Sequence, residues 1–194
     1  MKAKGMNILF AGVGGQGVLL LSELVAQTAL KAGFDAKKTE VHGAAQRGGS
    51  VTSHVRFSDK VYSPLAPLGK VDLLVGLEKL EGLRWTHYLK EKGDIVLNQL
   101  VIQPAQFSEK PLPYPRDIEA FLRGKGYSLH LVDATAIAKK LGNIRVANVV
   151  ILGALSRLTD LIDPSLWSEA VREILPVKFL EINLQAFQAG REMG

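Results

Sequence analysis

A short apolar run that ends in closely spaced glycines constrains this chain more than any other feature. Asn7-Ile8-Leu9-Phe10-Ala11 leads into Gly12-Val13-Gly14-Gly15-Gln16-Gly17, and the run has the length and character of a buried strand. From Gly17 to Ala32 the pattern turns helical. Glu23, Gln27 and Lys31 fall four apart on one polar stripe, while Val18, Leu21, Val25 and Leu30 belong to the buried side. Gly33 stands where a helix C-cap glycine belongs. Strand, glycine turn and helix in this order gather free N–H groups and the positive end of a helix dipole at the turn. Glycine, lacking a Cβ, lets the backbone approach a phosphate there. Gly12, Gly14, Gly15, Gln16 and Gly17 are therefore candidate anion-binding residues, with the Gln16 carboxamide expected at the mouth of the loop.

The rest of the chain alternates strands and helices. A second strand is expected near Phe34–Thr39. Ser50–Phe57 alternates cleanly, with Val51, Ser53, Val55 and Phe57 on one face and Thr52, His54 and Arg56 on the other. Further strands are expected at Asp72–Leu77, Ile95–Leu97 and Ser128–Val132, and a helix near Glu78–Lys92 that stops at Gly93-Asp94. Asp133 reads as the N-cap of a helix over Ala134–Leu141, ended by Gly142-Asn143. Helices should also cover Val146–Leu158, Pro164–Leu175 (Asp163 as cap, Pro164 at the first helical position) and Lys178–Ala189. Four prolines within Gln103–Pro115 mark a surface loop. The expected architecture is a single domain over residues 1–194, a three-layer α/β/α arrangement with a mostly parallel sheet and a Rossmann-like glycine loop after the first strand.

Composition narrows the chemistry. The sequence has no cysteine, which excludes disulfides, thiol catalysis and cysteine-ligated iron–sulfur clusters in this chain. Its four histidines, His42, His54, His87 and His130, lack metal-site spacing. The most apolar stretch is interrupted by Ser22, Glu23, Gln27 and Thr28, so no membrane span is expected. The apolar segment before the glycines is too short for a secretory signal, and the expected compartment is the cytoplasm. Residues 1–60 hold eight Lys/Arg against four acids, within a formal charge of +5 for the chain. This excess suits an anionic ligand. Nucleic acid is disfavoured, because no basic run or aromatic–basic interleaving is present.

A second loop carries further chemistry. In Glu40-Val41-His42-Gly43-Ala44-Ala45-Gln46-Arg47-Gly48-Gly49, small residues flank a glutamine and an arginine, and a glycine pair leads into the next strand. Arg47 can fork two hydrogen bonds to a carboxylate or phosphate. In a sheet of this kind the loop can lie beside the first glycine loop, at the strand ends where ligands bind. A dinucleotide site would also need an acid roughly 20 residues beyond the glycines. Asp35 and Glu40 are the candidates, but both sit among lysines.

Together, Gly12-Val13-Gly14-Gly15-Gln16-Gly17 and His42-Gly43-x-x-Gln46-Arg47-Gly48-Gly49 resemble the gamma-domain family of 2-oxoacid:ferredoxin oxidoreductases. The Gln-Arg-Gly-Gly form, with Ser50-Val51 and Val55-Arg56, is similar to the small (beta) subunits of the indolepyruvate type. The similarity continues through Tyr62-Ser63-Pro64-Leu65, Asp72-Leu73-Leu74, Leu77-Glu78, Glu81, Arg84, Asn148-Val149, Leu152-Gly153-Ala154, Asn183 and Phe187. The resemblance implies a subunit, inactive alone, of a complex in which an aryl 2-oxoacid, coenzyme A and oxidised ferredoxin give an acyl-CoA, carbon dioxide and reduced ferredoxin. It places thiamine diphosphate and the iron–sulfur clusters on a large partner subunit. For this chain it implies no tightly bound cofactor, with coenzyme A as a possible ligand of the Gly12–Gly17 loop and of Gln46, Arg47, Gly48 and Gly49. The alternatives are a self-sufficient NAD(P)- or FAD-dependent protein using the glycine fingerprint, and a nucleotide-sensing module without catalysis. No general base or nucleophile with a partner is legible in the sequence.

Overall fold

The computed structural model describes residues 5–42, 49–103 and 113–193. Six strands form one sheet: β1 (Gly5–Val13), β2 (Asp35–His42), β3 (Ser50–Ser58), β4 (Val71–Gly76), β5 (Leu89–Asn98) and β6 (Ser128–Val132). Their order across the sheet is β2-β3-β1-β4-β5-β6. The pairs β1/β4, β4/β5 and β5/β6 are parallel, whereas β3 runs antiparallel to both β1 and β2. The sheet is thus mixed, with β3 as the single reversed strand. It forms a hairpin with β2, pairing Asp35 with Ser58 and His42 with Val51.

Side-chain alternation along β1 divides the interior into two layers. Ile8 and Phe10 join Leu73, Val75 and Val96 in the main core, and Leu9 and Ala11 join Leu74, Ile95 and Leu97 on the opposite face. The first layer is covered by α1 (Val18–Lys31), α4 (Ala134–Lys140), α5 (Ala147–Ser156), α6 (Pro164–Ile174) and α7 (Leu180–Arg191). The second lies beneath α2 (Lys79–Arg84) and α3 (Ile118–Gly124). Among the described residues no helix is long and apolar enough to cross a membrane.

Local chemistry sets the helix ends. After α1, Gly33 adopts φ 86°. Its N–H donates to Leu30 while the N–H of Phe34 donates to Ala29, closing a Schellman turn. Asp133 accepts from the N–H of Ala136, and Asp163 from that of Ser165 ahead of Pro164. These three ends match the sequence reading.

Three features differ from it. The helix expected over Glu78–Lys92 stops at Arg84. A 3-10 turn at Thr86–Tyr88 follows, and Lys90–Lys92 enter β5. Leu89 is recruited to pair with Val71, Lys90 bonds Asp72, and Lys92 takes φ 56° at the register shift that follows. Secondly, α3 follows the proline-rich stretch without having been anticipated. Thirdly, Leu30, expected on the buried side of α1, is 45% exposed, because the apolar face of α1 is carried by Val18, Leu21, Leu24 and Val25.

Helices α5 and α7 cross with backbones in contact. A Cβ on Gly153 would stand 2.1 Å from the Phe187 carbonyl oxygen, and one on Gly190 would stand 2.0 Å from that of Val150. This crossing fixes α5, whose N-terminus reaches the glycine loop.

Candidate functional site

The glycine loop lies at the C-terminal ends of β1 and β4, the point where chain connections diverge to the two sides of the sheet and where open α/β sheets bind ligands. The loop is braced by its own glutamine. The Gln16 side-chain oxygen accepts from the Val13 N–H at 2.6 Å, and its NH₂ group donates to the Leu77 carbonyl at 3.3 Å. The carboxamide therefore ties β1 to β4. Gly12 makes room for it, since a Cβ there would come within 2.8 Å of that same Gln16 oxygen. Gly15 and Gly17 have φ of 99° and 82°, in the left-handed region open chiefly to glycine. Gly17 also lies beneath Asn148 of α5, whose side-chain nitrogen would be 2.3 Å from an added Cβ.

The two glycine motifs meet. The N–H of Gly14 donates to the Gly49 carbonyl at 3.0 Å, and Val13 pairs with Ser50. Gln46, Arg47 and Gly48 lie outside the described residues, as does the His42 side chain.

The expected basic surroundings take another form. Lys31, at the far end of α1, pairs with Glu173, Lys37 with Asp35, and Lys38 with Glu23 and Glu40. Arg56 donates to Asn7 and to the carbonyls of Ser63 and Leu65. These cations brace β2, β3 and the following loop. Among the described residues the cation at the glycine loop is Arg145, which lines a cavity of about 420 Å³ beside Gly15, Gln16 and Gly17.

The candidate ribose acids are misplaced for a dinucleotide. Asp35 pairs with Ser58, which faces Gly5, at the opposite end of the nine-residue β1 from the glycine loop. Glu40 sits on β2, separated from β1 by β3, and two strand spacings amount to about 10 Å. The inserted antiparallel strand removes the acid from the position that an NAD fingerprint requires.

A buried polar cluster closes the same edge of the sheet. Glu78, 1% exposed, caps α2 through the N–H of Glu81. Its other oxygen accepts from the Tyr114 hydroxyl and from the N–H of Ile102. Tyr114 in turn accepts from the Leu80 N–H, and Glu81 accepts from Ser50 and Arg84. Asn98, at the end of β5, donates to the Leu77 carbonyl and accepts from the Ala134 N–H, joining β4, β5 and α4. Tyr114, Asn98 and Arg145 were missed in the sequence, where none stands in a glycine setting or a charge cluster.

Burial and the nearby Glu78 carboxylate raise the Tyr114 pKa well above the usual tyrosine value. The folded protein then keeps this proton while the unfolded chain ionises near pH 10. The associated stability is present below that pH and is lost as pH rises towards the folded value. Urea midpoints should fall as pH rises above about 10, and Tyr114→Phe should flatten that fall. An unchanged slope would remove Tyr114 as its source.

His54 is buried, beside Tyr88 and the Ala66 N–H, and burial with the nearby Arg56 cation lowers its pKa. Among the described residues there is no group of three His, Cys, Asp or Glu side chains able to hold a metal ion. Among the described residues no titratable pair at the cavity forms a nucleophile and base. Glycine amides, an arginine and amides of asparagine can bind and orient an anion.

Residues 7–193 match the pyruvate ferredoxin/flavodoxin oxidoreductase family. The chain belongs to that family. Within the family it is 38% identical to indolepyruvate oxidoreductase subunit IorB of Pyrococcus horikoshii, over 96% of this chain and 95% of the other. The gamma subunit of a keto/oxoacid ferredoxin oxidoreductase from Geobacter sulfurreducens superposes with TM-score 0.74 at 29% identity, covering 97% of each chain. The fold also occurs in 2-oxoglutarate:ferredoxin oxidoreductase from Magnetococcus marinus, solved with 2-oxoglutarate, coenzyme A and succinyl-CoA bound. That match has TM-score 0.77 at 22% identity and covers all of this chain and 31% of the other. The chain is a small-subunit member of an oxidoreductase family, and the stand-alone NAD(P) or FAD reading is not favoured.

Proposed function

We propose that this chain, as one gamma-type domain over residues 1–194, is the small subunit of an indolepyruvate-type 2-oxoacid:ferredoxin oxidoreductase in the cytoplasm. The complex converts an aryl 2-oxoacid and coenzyme A into an aryl acyl-CoA and carbon dioxide, and passes two electrons singly to ferredoxin. The observation that carries this reading is the likeness to the archaeal IorB subunit over nearly the full length of both chains.

The reaction needs a thiamine cofactor, which would supply the electron sink for loss of carbon dioxide, and iron–sulfur clusters, which would relay the electrons. Both belong to a large partner subunit in this reading, in keeping with a sequence that has no cysteine. The contribution of this chain is binding and orientation. The Gly12–Gly17 loop offers amides at the start of α1, and Gly49 brings the second loop against it. In this reading Gln46 and Arg47, with the flanking Gly48, bind or approach the anionic part of coenzyme A or of the thiamine cofactor.

The test is a substrate panel on the co-expressed complex. With coenzyme A and ferredoxin present, kcat/KM should be highest for indolepyruvate or phenylpyruvate, and lower for pyruvate and 2-oxoglutarate. A preference for pyruvate or 2-oxoglutarate would reject the aryl assignment. In the same complex Arg47→Ala should weaken coenzyme A binding about tenfold or more, as expected for a lost charged hydrogen bond. Equal affinity would take Arg47 out of the site.

A further inference from the structure

The helices on the second face of the sheet, α2 and α3, pack on β1, β4, β5 and β6. No side chain of β2 or β3 enters the core beneath them. Beside β3 runs instead the connection from β3 to β4, residues 59–70. Side chains of three strands hold that connection in place. Asp35 of β2 accepts from the Val61 N–H at 2.8 Å, and His54 of β3 accepts from the Ala66 N–H at 3.4 Å. Arg56 of β3 donates to the carbonyls of Ser63 and Leu65, and Asn7 of β1 donates to that of Lys70. Ala66 is buried in the second core, and Pro64 and Pro67 stiffen the backbone on either side of it.

What this fastened loop presents to solvent is apolar. Tyr62 is 89% exposed, Leu68 64% and Leu65 50%. A single exposed apolar side chain is ordinary. Three within seven residues, on a backbone held by the sheet, form a patch of the kind that marks a protein–protein contact. The loop is already ordered in the free chain, so docking loses little further entropy. Tyrosine, at its most exposed position, is a residue type that dominates the binding energy of such contacts.

The rim selects the partner. Lys60 and Lys70 flank the patch, and Lys90 and Lys92 lie at the same end of the sheet, on the strand whose Leu89 pairs with Val71. The exposed acids among them are Asp59 and Glu91. A second copy docked patch to patch would set lysines against lysines. A different protein, with acids around an apolar recess, is complementary.

We propose that residues 62–68 are the docking surface for the large subunit of the complex, with Tyr62, Leu65 and Leu68 entering apolar recesses and the lysine rim meeting acids. The proposal deepens the reading of this chain as a small subunit and rests on it. The loop begins beside Ser58, which pairs with Gly5, at the end of β1 away from the glycine loop. It therefore fastens the subunit without belonging to the candidate site, and its loss is felt in assembly and not in turnover.

The test titrates the purified chain into the large subunit, with sedimentation velocity and the rate of ferredoxin reduction as readouts. Tyr62→Ala and Leu68→Glu should each raise the concentration for half-maximal rate about tenfold or more, while the rate at saturation keeps its wild-type value. Lys70→Glu should weaken association and reduce its dependence on salt. All three positions are exposed, so the thermal midpoint of the chain alone should stay within about 2 °C of wild type. The proposal is overturned if Tyr62→Ala and Leu68→Glu associate like the wild type, or if they lower only the saturated rate. It is equally overturned if the chain alone self-associates and these variants abolish that while leaving the large-subunit affinity unchanged, which would assign the patch to a second copy. A wild-type chain that fails to bind the large subunit would overturn the small-subunit reading and the docking surface with it. Full turnover by a complex indifferent to the variants would overturn the docking surface alone.

Discussion

Gly190→Ala is expected to destabilise the protein by about 2 kcal/mol, against its helix propensity. In an exposed helix the exchange would gain about 1 kcal/mol. Here the new methyl would meet the Val150 carbonyl oxygen at 2.0 Å, and its partner in the contact is backbone, which cannot swing aside as a side chain does. Overpacking of this kind costs about 1–3 kcal/mol or more, so the clash wins. Gly153→Ala meets the Phe187 carbonyl in the same way and should act in the same direction. Urea denaturation reads both. A midpoint equal to or above wild type for Gly190→Ala would show that α5 and α7 separate easily, and the fixed position of Asn148 over Gly17 would lose its basis.

Glu78→Ala is expected to cost more, about 3–5 kcal/mol. The substitution removes the α2 cap, worth about 1 kcal/mol. It also strands the Ile102 N–H and the Tyr114 hydroxyl, both partly buried, at about 1–2 kcal/mol for each, the lower part of the range for an unsatisfied donor. Glu78→Gln keeps one acceptor and should lose less than half as much. Equal losses for the two variants would mean that the negative charge, and not the hydrogen-bond count, stabilises this edge of the sheet. The edge includes Leu77, to whose carbonyl Gln16 and Asn98 both donate, so the loss should reach the glycine loop.

Local signals in the sequence were dependable wherever one residue type answers one backbone need. Gly33, Asp133, and Asp163 with Pro164 each mark a helix end that the structure confirms. The region from Glu78 to Lys92 reads as helical on periodicity, but pairing of Leu89 with Val71 takes its second half into the sheet. That contact is non-local, and no pattern within the segment announces it. The insertion of β3 between β1 and β2 is of the same kind. It also decides against a ribose acid, which the sequence left as a question about Asp35 and Glu40.

The site was half legible. Gly12–Gly17 stood out because glycine spacing after a strand has few explanations, and its meeting with Gly49 follows from the antiparallel register of β1 and β3. The basic excess of residues 1–60 was real in number, but ion pairs with Asp35, Glu23, Glu40 and Glu173 hold Lys31, Lys37 and Lys38 away from the loop. Asn148 comes from the start of α5 and Arg145 from the 3-10 turn Ile144–Val146 just before it, and only the packing of α5 over α1 and β5 brings them to the cavity.

The central claim is that this chain completes an oxidoreductase whose redox centres lie on another subunit. Its most direct measurement is the rate of ferredoxin reduction with indolepyruvate and coenzyme A, for this chain alone, the large subunit alone and the two combined. The account predicts no reduction by this chain, little by the large subunit, and full turnover with acyl-CoA formation only when both are present. Reduction by this chain alone, or an equal rate from the large subunit without it, would contradict the account.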